Sequence, residues 1–120
     1  MAEKRQKDDY KIFFSKIKRA LKVLGVYNSI HDPLISSCAQ LMCIRDEAFR
    51  ELRENGLCIS ELYPSGERTK LNPAYSSLRD TLKELRGTLN DLQMNIRNSS
   101  APDEDAMDEL TDKLNDIMNG

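Results

Sequence analysis

The chain has 120 residues, of which 32% are charged and 6% are aromatic, with no Trp. This length predicts one compact domain with a tail, and the composition favours charged helices and argues against a β-sandwich. No apolar run approaches the roughly 20 residues that cross a bilayer. The first residues, MAEKRQKDDYK, lack the apolar stretch of a signal peptide, so an intracellular location is predicted.

The charges are unevenly distributed, although the formal net charge is only −2. Residues 1–25 contain eight Lys or Arg and three acids, whereas residues 99–120 contain seven acids and one Lys. A basic front and an acidic end suggest two different partners, or one end folding onto the other.

The residues that could support catalysis or bind a metal are few. Cys38, Cys43 and Cys58 form an odd set without a CxxC motif, which predicts reduced, mostly buried thiols and no disulfide framework. Their spacing with His31 matches no zinc pattern, so neither a metal nor another cofactor is predicted. His31 precedes a helix start and is predicted to be a surface loop residue. We therefore predict no catalytic residues and no enzymatic activity.

A first helix is predicted over about residues 9–24. Its apolar stripe has helical spacing and consists of Tyr10, Phe13, Phe14, Ile17, Leu21 and Leu24. Asp8 and Asp9 favour the start of a helix, and Gly25 can end it. Most of the basic residues lie off the stripe: Lys11, Lys16, Lys18, Arg19 and Lys22. They form either an ordinary solvated face or a phosphate-binding surface.

A second helix is predicted over about residues 33–55. Asp32 is a preferred N-cap, Pro33 fits the first turn, and Asn55-Gly56 is a stop signal. Apolar residues cover a broad arc of this helix, as expected for the central helix of the domain.

The next segment, LCISELYPSGERTKL (57–71), predicts a short β-hairpin with a turn at Pro64-Ser65-Gly66. A lone hairpin is marginally stable, so it must lean on the helices or on a neighbouring subunit.

Asn72-Pro73 marks the start of a long helix over about residues 73–97, with Asn72 as its cap. The apolar residues then recur in steps of three and four, as Tyr75, Leu78, Leu82, Leu85, Leu89, Leu92 and Ile96. This heptad seam packs either on the second helix or between subunits. The candidate residues for contacts between subunits are Leu78, Leu82, Leu85, Leu89 and Leu92.

Residues 99–120 are predicted to form a flexible acidic tail behind a helical core of residues 1–98, with a linker at 98–102. Met107, Leu110, Leu114 and Ile117 have the spacing of a short amphipathic helix. Such a segment is typical of a peptide that folds when it docks in a partner's groove. The predicted fold class is mainly α: a helical domain with a short β-hairpin before a long C-terminal helix, plus the tail.

The order of these motifs resembles the small subunit of tailed-phage DNA-packaging terminases over about residues 10–98. The motifs are HDPLISSCAQLM, which opens a helix, RENG, which ends it, and the turn-and-cap segment SGERTKLNP. Relatives often follow the long helix with a GLTP-like turn and an Arg, whereas this chain continues with LNDLQMNIRNSS.

The resemblance implies a non-enzymatic adaptor in the cytoplasm of an infected bacterium. Such subunits form homo-oligomeric rings, bind double-stranded viral DNA and recruit and regulate the large subunit, which carries the ATPase and nuclease. On this chain the candidates for DNA contact are the five basic residues of the first helix. The candidates for docking the large subunit are the four apolar tail residues, and the seam and hairpin are candidates for subunit contacts.

Two other functions fit parts of the pattern. A hairpin after two helices suggests a winged-helix-like transcriptional regulator, although the connection GVYNSIHDP is long for a helix-turn-helix. The second helix also carries many acids for a helix that reads the major groove. The seam alone would suit a coiled-coil scaffold with no role in nucleic-acid binding.

Overall fold

The computed structural model describes residues 2–119, and it describes side chains for residues 9–62 and 64–119. Within these residues four α-helices and one antiparallel β-hairpin follow one another along the chain. The predicted fold class, mainly helical with a hairpin before the long helix, is confirmed.

The first helix, α1 (Ala2–Val23), begins earlier than its apolar stripe predicted. Residues 2–7 are mostly good helix formers, so the helix continues beyond the stripe, and Asp8 and Asp9 lie inside it. Gly25 ends the helix with a φ of 72°. The amide of Gly25 donates to Lys22 O and that of Val26 donates to Leu21 O, both at 3.0 Å, which is a Schellman motif.

A short 3-10 turn, Ser29–His31, leads into α2 (Asp32–Asn55). The predicted side-chain cap by Asp32 is wrong, because the helix already includes Asp32 and its Oδ1 accepts a hydrogen bond from the Tyr27 hydroxyl at 2.9 Å. Pro33 lies in the first turn, as predicted, and the amide of Gly56 closes the helix on Leu52 O at 2.8 Å.

The hairpin consists of β1 (Cys58–Tyr63) and β2 (Gly66–Leu71), with Cys58 opposite Leu71 and Tyr63 opposite Gly66. Pro64 and Ser65 form the connection between the strands. The strands pack chiefly on each other, and every residue of β2 is exposed. Lys70 and Glu61 form an ion pair across the strands. The hairpin therefore projects from the helices.

Asn72 joins the hairpin to α3 (Pro73–Ser100). Its Oδ1 accepts from Ala74 N at 3.0 Å, which confirms the predicted cap. Its Nδ2 donates to Gly56 O at 3.0 Å, and its amide donates to Leu57 O. This residue is only 2% exposed, and its side chain and main-chain amide together connect the end of α2, the base of the hairpin and the start of α3.

The predicted linker at 98–102 is shorter in the structure, because α3 continues to Ser100 and ends at Ala101, whose φ is 43°. Asp103 then caps α4 (Glu104–Asn119), since its Oδ1 accepts from Ala106 N at 2.8 Å. The predicted amphipathic helix of the tail is therefore present, and it packs along α1.

The core lies between the helices. The second helix packs against both α1 and α3, as expected for a central helix, and α4 packs against α1. The largest fully buried apolar side chains come from all four helices: Ile17, Leu21, Ile35, Met42, Leu85, Leu92, Ile96, Met107, Leu110 and Leu114.

Candidate nucleic-acid interface and partner surfaces

Five basic residues in the described part of α1 lie on the side of the helix that faces away from the core. Ile17, Ala20 and Leu21 are buried on the inner side. The five candidate DNA-contact residues are exposed or half-buried: Lys11, Lys16, Lys18, Arg19 and Lys22. Among the described side chains these five form no ion pair. We call this surface the basic face.

Tyr27 orders one part of the basic face. The Lys18 ammonium lies 5.1 Å from the centroid of the Tyr27 ring, and the Lys22 ammonium lies 5.4 Å from it. Each cation–π contact of this exposed kind contributes about 0.5–1 kcal/mol. The hydrogen bond from Tyr27 to Asp32 holds the ring in place. The only sign of this role in the sequence is an aromatic residue in the loop after a basic helix.

The other edge of the basic face meets α4. Lys16 and Arg19 line a small depression of about 230 Å³ together with Lys113 and Asp116 of α4. The Asp116 carboxylate and the Lys113 ammonium therefore lie beside this edge of the basic face. The face remains open to solvent on the side of Lys11 and Lys22. Lys and Arg side chains arranged in this way can bind successive phosphates of a nucleic-acid backbone without reading its sequence.

The leucine seam lies mostly inside the subunit. Leu85, Leu89 and Leu92 are buried in the common core. Leu78 and Leu82 are half-buried and border a groove near Phe49. Of the five leucines predicted to contact another subunit, these two have side chains that another polypeptide can reach in this arrangement.

The four apolar residues of the tail point into the chain's own core. Met107, Leu110 and Leu114 are buried, and Ile117 packs against the same cluster at its edge. Their spacing predicted an apolar helix face correctly, and the surface that covers this face is α1 with the core behind it. Docking of these residues on a partner would require α4 to separate from α1.

His31 is buried, so the prediction of a surface loop residue is wrong. The 3-10 turn directs its ring towards α3, where Nε2 lies 3.4 Å from Ser99 Oγ. Its Nδ1 has no hydrogen-bond partner among the described residues. A fully enclosed ring cannot reach a substrate, so this pair offers no catalytic centre.

The thiols differ in their surroundings. Cys38 is buried, Cys43 is half-buried and Cys58 is exposed on the hairpin. Burial raises the pKa of Cys38 to about 12, with a smaller contribution from the charge of Asp91. Burial also raises the pKa of Cys43 to about 11. Both thiols are therefore protonated and unreactive near neutral pH.

The described residues contain no group of three His, Cys, Asp or Glu placed to hold a metal ion.

The class that the fold and these surfaces define is a small, mainly helical protein with an exposed basic face and a projecting hairpin. The sequence profile of the phage terminase small subunit family matches residues 11–108, which is most of the chain. The chain belongs to this family, and the predicted resemblance is confirmed. Membership of this family indicates a role in phage genome packaging. The small subunit is generally the non-catalytic subunit of a terminase.

No curated protein and no solved structure matches the chain significantly. None of the helices within residues 2–119 is long and apolar enough to cross a lipid bilayer.

Proposed function

We propose that this chain is a non-enzymatic packaging adaptor that forms a closed homo-oligomer, binds double-stranded DNA and recruits the large terminase subunit. It would act in the cytoplasm of the infected bacterium. The observation that carries the proposal is the basic face of α1, whose five cations point away from the core and have no carboxylate partner among the described residues. Membership of the small-subunit family supports this function over a winged-helix-like regulator.

The DNA-binding part is tested by the salt dependence of affinity. Each phosphate contact contributes about 0.9 to the slope of log K against log salt concentration. We expect Lys22→Ala to reduce this slope by about 1. Lys83→Ala on α3 removes the same charge from an exposed position outside the basic face and serves as the control. Fluorescence anisotropy with a labelled duplex at several salt concentrations measures both variants.

The result is clear in either direction. A slope that falls for Lys22→Ala and not for Lys83→Ala supports the basic face as the DNA-contacting surface. Equal slopes for the two variants, or an affinity that does not change with salt, would contradict it.

For the contact between subunits we propose the hairpin. Leu62 is 89% exposed, and Leu57 and Leu71 are also exposed at the base of the hairpin. Because a two-stranded hairpin is marginally stable by itself, contact with a second copy would stabilise it. A contact that uses different surfaces on the two copies closes into a ring when the rotation allows it.

Light scattering behind a sizing column, at low and high salt, tests the oligomer. We expect a species of many subunits, and we expect Leu62→Asp to reduce its mass. Met94→Asp, at a position with 57% exposure on α3, is the matched control and should leave the mass unchanged. A monomer or dimer at every concentration would argue against the ring and favour the regulator.

Recruitment of the large subunit through Met107, Leu110, Leu114 and Ile117 stays a prediction with one added condition. Each of the three buried residues gains about 1.5–3 kcal/mol from burial, so α4 leaves α1 only if the partner replaces this contact. A disulfide engineered across the contact between α4 and α1, at two positions with Cα atoms less than about 7 Å apart, should then abolish large-subunit binding in a pull-down. Reduction should restore it, and binding that persists in the locked protein would show that these buried residues do not form the docking site.

A further inference from the structure

An apolar groove continues from the C-terminal end of α4. Met118 and Asn119 border one end of it, and its walls come from α1, α2 and α3. The groove has a volume of about 720 Å³. It lies beside Ile12 and Lys16 of α1, one to three turns before Ala20 and Val23, which border α4. The groove therefore extends the track that α4 follows along α1.

The floor of the groove is apolar and open. Ile12 is 49% exposed and Phe49 is 55% exposed, although both residues are large and apolar. Phe13, Leu78 and Leu82 complete this surface. Contiguous exposed apolar surface on a small protein marks a site of interaction. A floor lined by side chains from three helices has the form of a groove that accepts an amphipathic helix.

The rim of the groove is positively charged. Among the described side chains, Lys16, Arg45 and Arg86 line it, together with one carboxylate, Asp46. Asp46 pairs with Arg45 at 3.1 Å, and Arg45 also donates to the main-chain oxygen of Met118. These bonds fix one cation where α4 ends, and they leave the charges of Lys16 and Arg86 beside the apolar floor. The charge of the rim selects for a partner with acidic flanks.

The neighbouring helix shows the kind of segment that this side of α1 holds. In α4, Met107, Leu110 and Leu114 are buried, whereas the acids of the helix are exposed. The groove offers the same combination of an apolar floor and adjacent cations immediately beyond Met118. We propose that the groove binds an amphipathic helix of another protein, which has apolar residues three and four apart and acidic residues on its flanks, end to end with α4. This inference does not depend on DNA binding.

The test uses the full-length protein and a fluorescein-labelled peptide with the sequence of residues 104–119, which has the required chemistry. A scrambled peptide of the same composition controls for charge alone. We expect saturable binding of the first peptide with a micromolar Kd and no saturation with the second. Phe49→Ser should weaken binding at least tenfold. Met94→Ser changes an apolar side chain of nearly the same exposure, 57%, outside the groove and should not affect binding. Circular dichroism verifies that both variants fold.

The charge requirement is tested separately on α3. Arg86→Glu should weaken peptide binding about tenfold, whereas Lys83→Glu, the same reversal on the same helix outside the groove, should not. Arg86 lies outside the basic face of α1, so neither change should alter DNA affinity by more than the loss of a distant charge. This separates failure of the groove from failure of the proposed DNA binding.

Several results would overturn the proposal. They are absence of peptide binding at about 100 µM, equal binding of the scrambled peptide, and binding that Phe49→Ser leaves unchanged. The last would mean that the peptide displaces α4 itself. Loss of homo-oligomer mass in Phe49→Ser, with peptide binding intact, would assign the groove to a second copy of this chain instead.

Discussion

The β-hairpin and α4 were both predicted to need a surface to pack against. In the structure α4 packs on the helical core, whereas the hairpin packs chiefly on itself. Met107, Leu110 and Leu114 of α4 are buried in the common core, although they lie in the most acidic part of the chain. The hairpin lies in the middle of the sequence and packs chiefly on itself, with Leu62 89% exposed. Position in the sequence and net charge therefore do not indicate which element closes the core. Spacing identifies an apolar face, and only the tertiary structure shows what covers it.

Truncating one leucine in each region tests this difference most directly, and it has the largest expected effect. Leu110→Ala removes a side chain that is 1% exposed, and we expect it to lower the free energy of unfolding by about 2–5 kcal/mol. Leu62→Ala should change it by less than about 0.5 kcal/mol in the monomer. Urea unfolding followed by circular dichroism measures both. Similar values for the two variants would mean that α4 is not part of the core.

A second pair of variants tests the junction between the regions. Asn72→Ala removes a helix cap and leaves Gly56 O without its donor, so we expect a loss of about 1–3 kcal/mol. Asn28→Ala removes the same kind of cap, an Oδ1 bond to Ile30 N, at an exposed position. Its expected cost is about 0.5–1 kcal/mol. An equal cost at the two positions would show that burial and the second bond of Asn72 add nothing.

The connection to α4 offers a change that should stabilise the protein. Ala101 has a φ of 43°, where a Cβ costs about 1–2 kcal/mol relative to Gly. Ala101→Gly should therefore raise the free energy of unfolding by roughly 1 kcal/mol, less the added entropy of the unfolded chain. Ala106→Gly in α4 is the opposite control and should lower it by about 1 kcal/mol. Thermal unfolding of the two variants shows directly whether each substitution raises or lowers the stability of the protein.

The effect that is smallest at neutral pH is that of the Cys38 thiol, which contributes a pH dependence only in alkaline solution. Its pKa is raised to about 12 from the ordinary thiol value of 9.0, so the folded protein holds this proton more tightly than the unfolded chain. The contribution to stability is complete below pH 9 and is lost as the pH rises towards 12. Stability should therefore fall more steeply with pH in the wild type than in Cys38→Ala. Unfolding curves collected between these pH values, with parallel slopes for the two proteins, would contradict the shift.

Much of the fold follows from local signals in the sequence. Asn72-Pro73 fixed the start of α3, and the Schellman motif at Gly25 and the stop at Gly56 fixed the ends of two helices. These signals succeed because caps and turns depend on the chain within a few residues. The start of α1 was missed because helix formers without an apolar stripe carry no periodic signal.

The remaining features depend on tertiary contacts. His31 is polar and precedes a helix, and nothing near it in sequence indicates that α3 will enclose it. The cations of the groove come from three helices, and no linear motif brings Lys16, Arg45 and Arg86 together. The basic face is different, because a single helix supplies all five residues and its periodicity predicted their common side.

The closed base of the hairpin has a consequence for how relatives of this chain can diverge. Leu57 O and Asn72 N are joined by a hydrogen bond, so the chain leaves the helical body and returns to it at one point. The strands between them can lengthen, shorten or change their exposed residues while the helices keep their packing. The hairpin can therefore change in length and in its exposed side chains without a change in the helical fold that carries it.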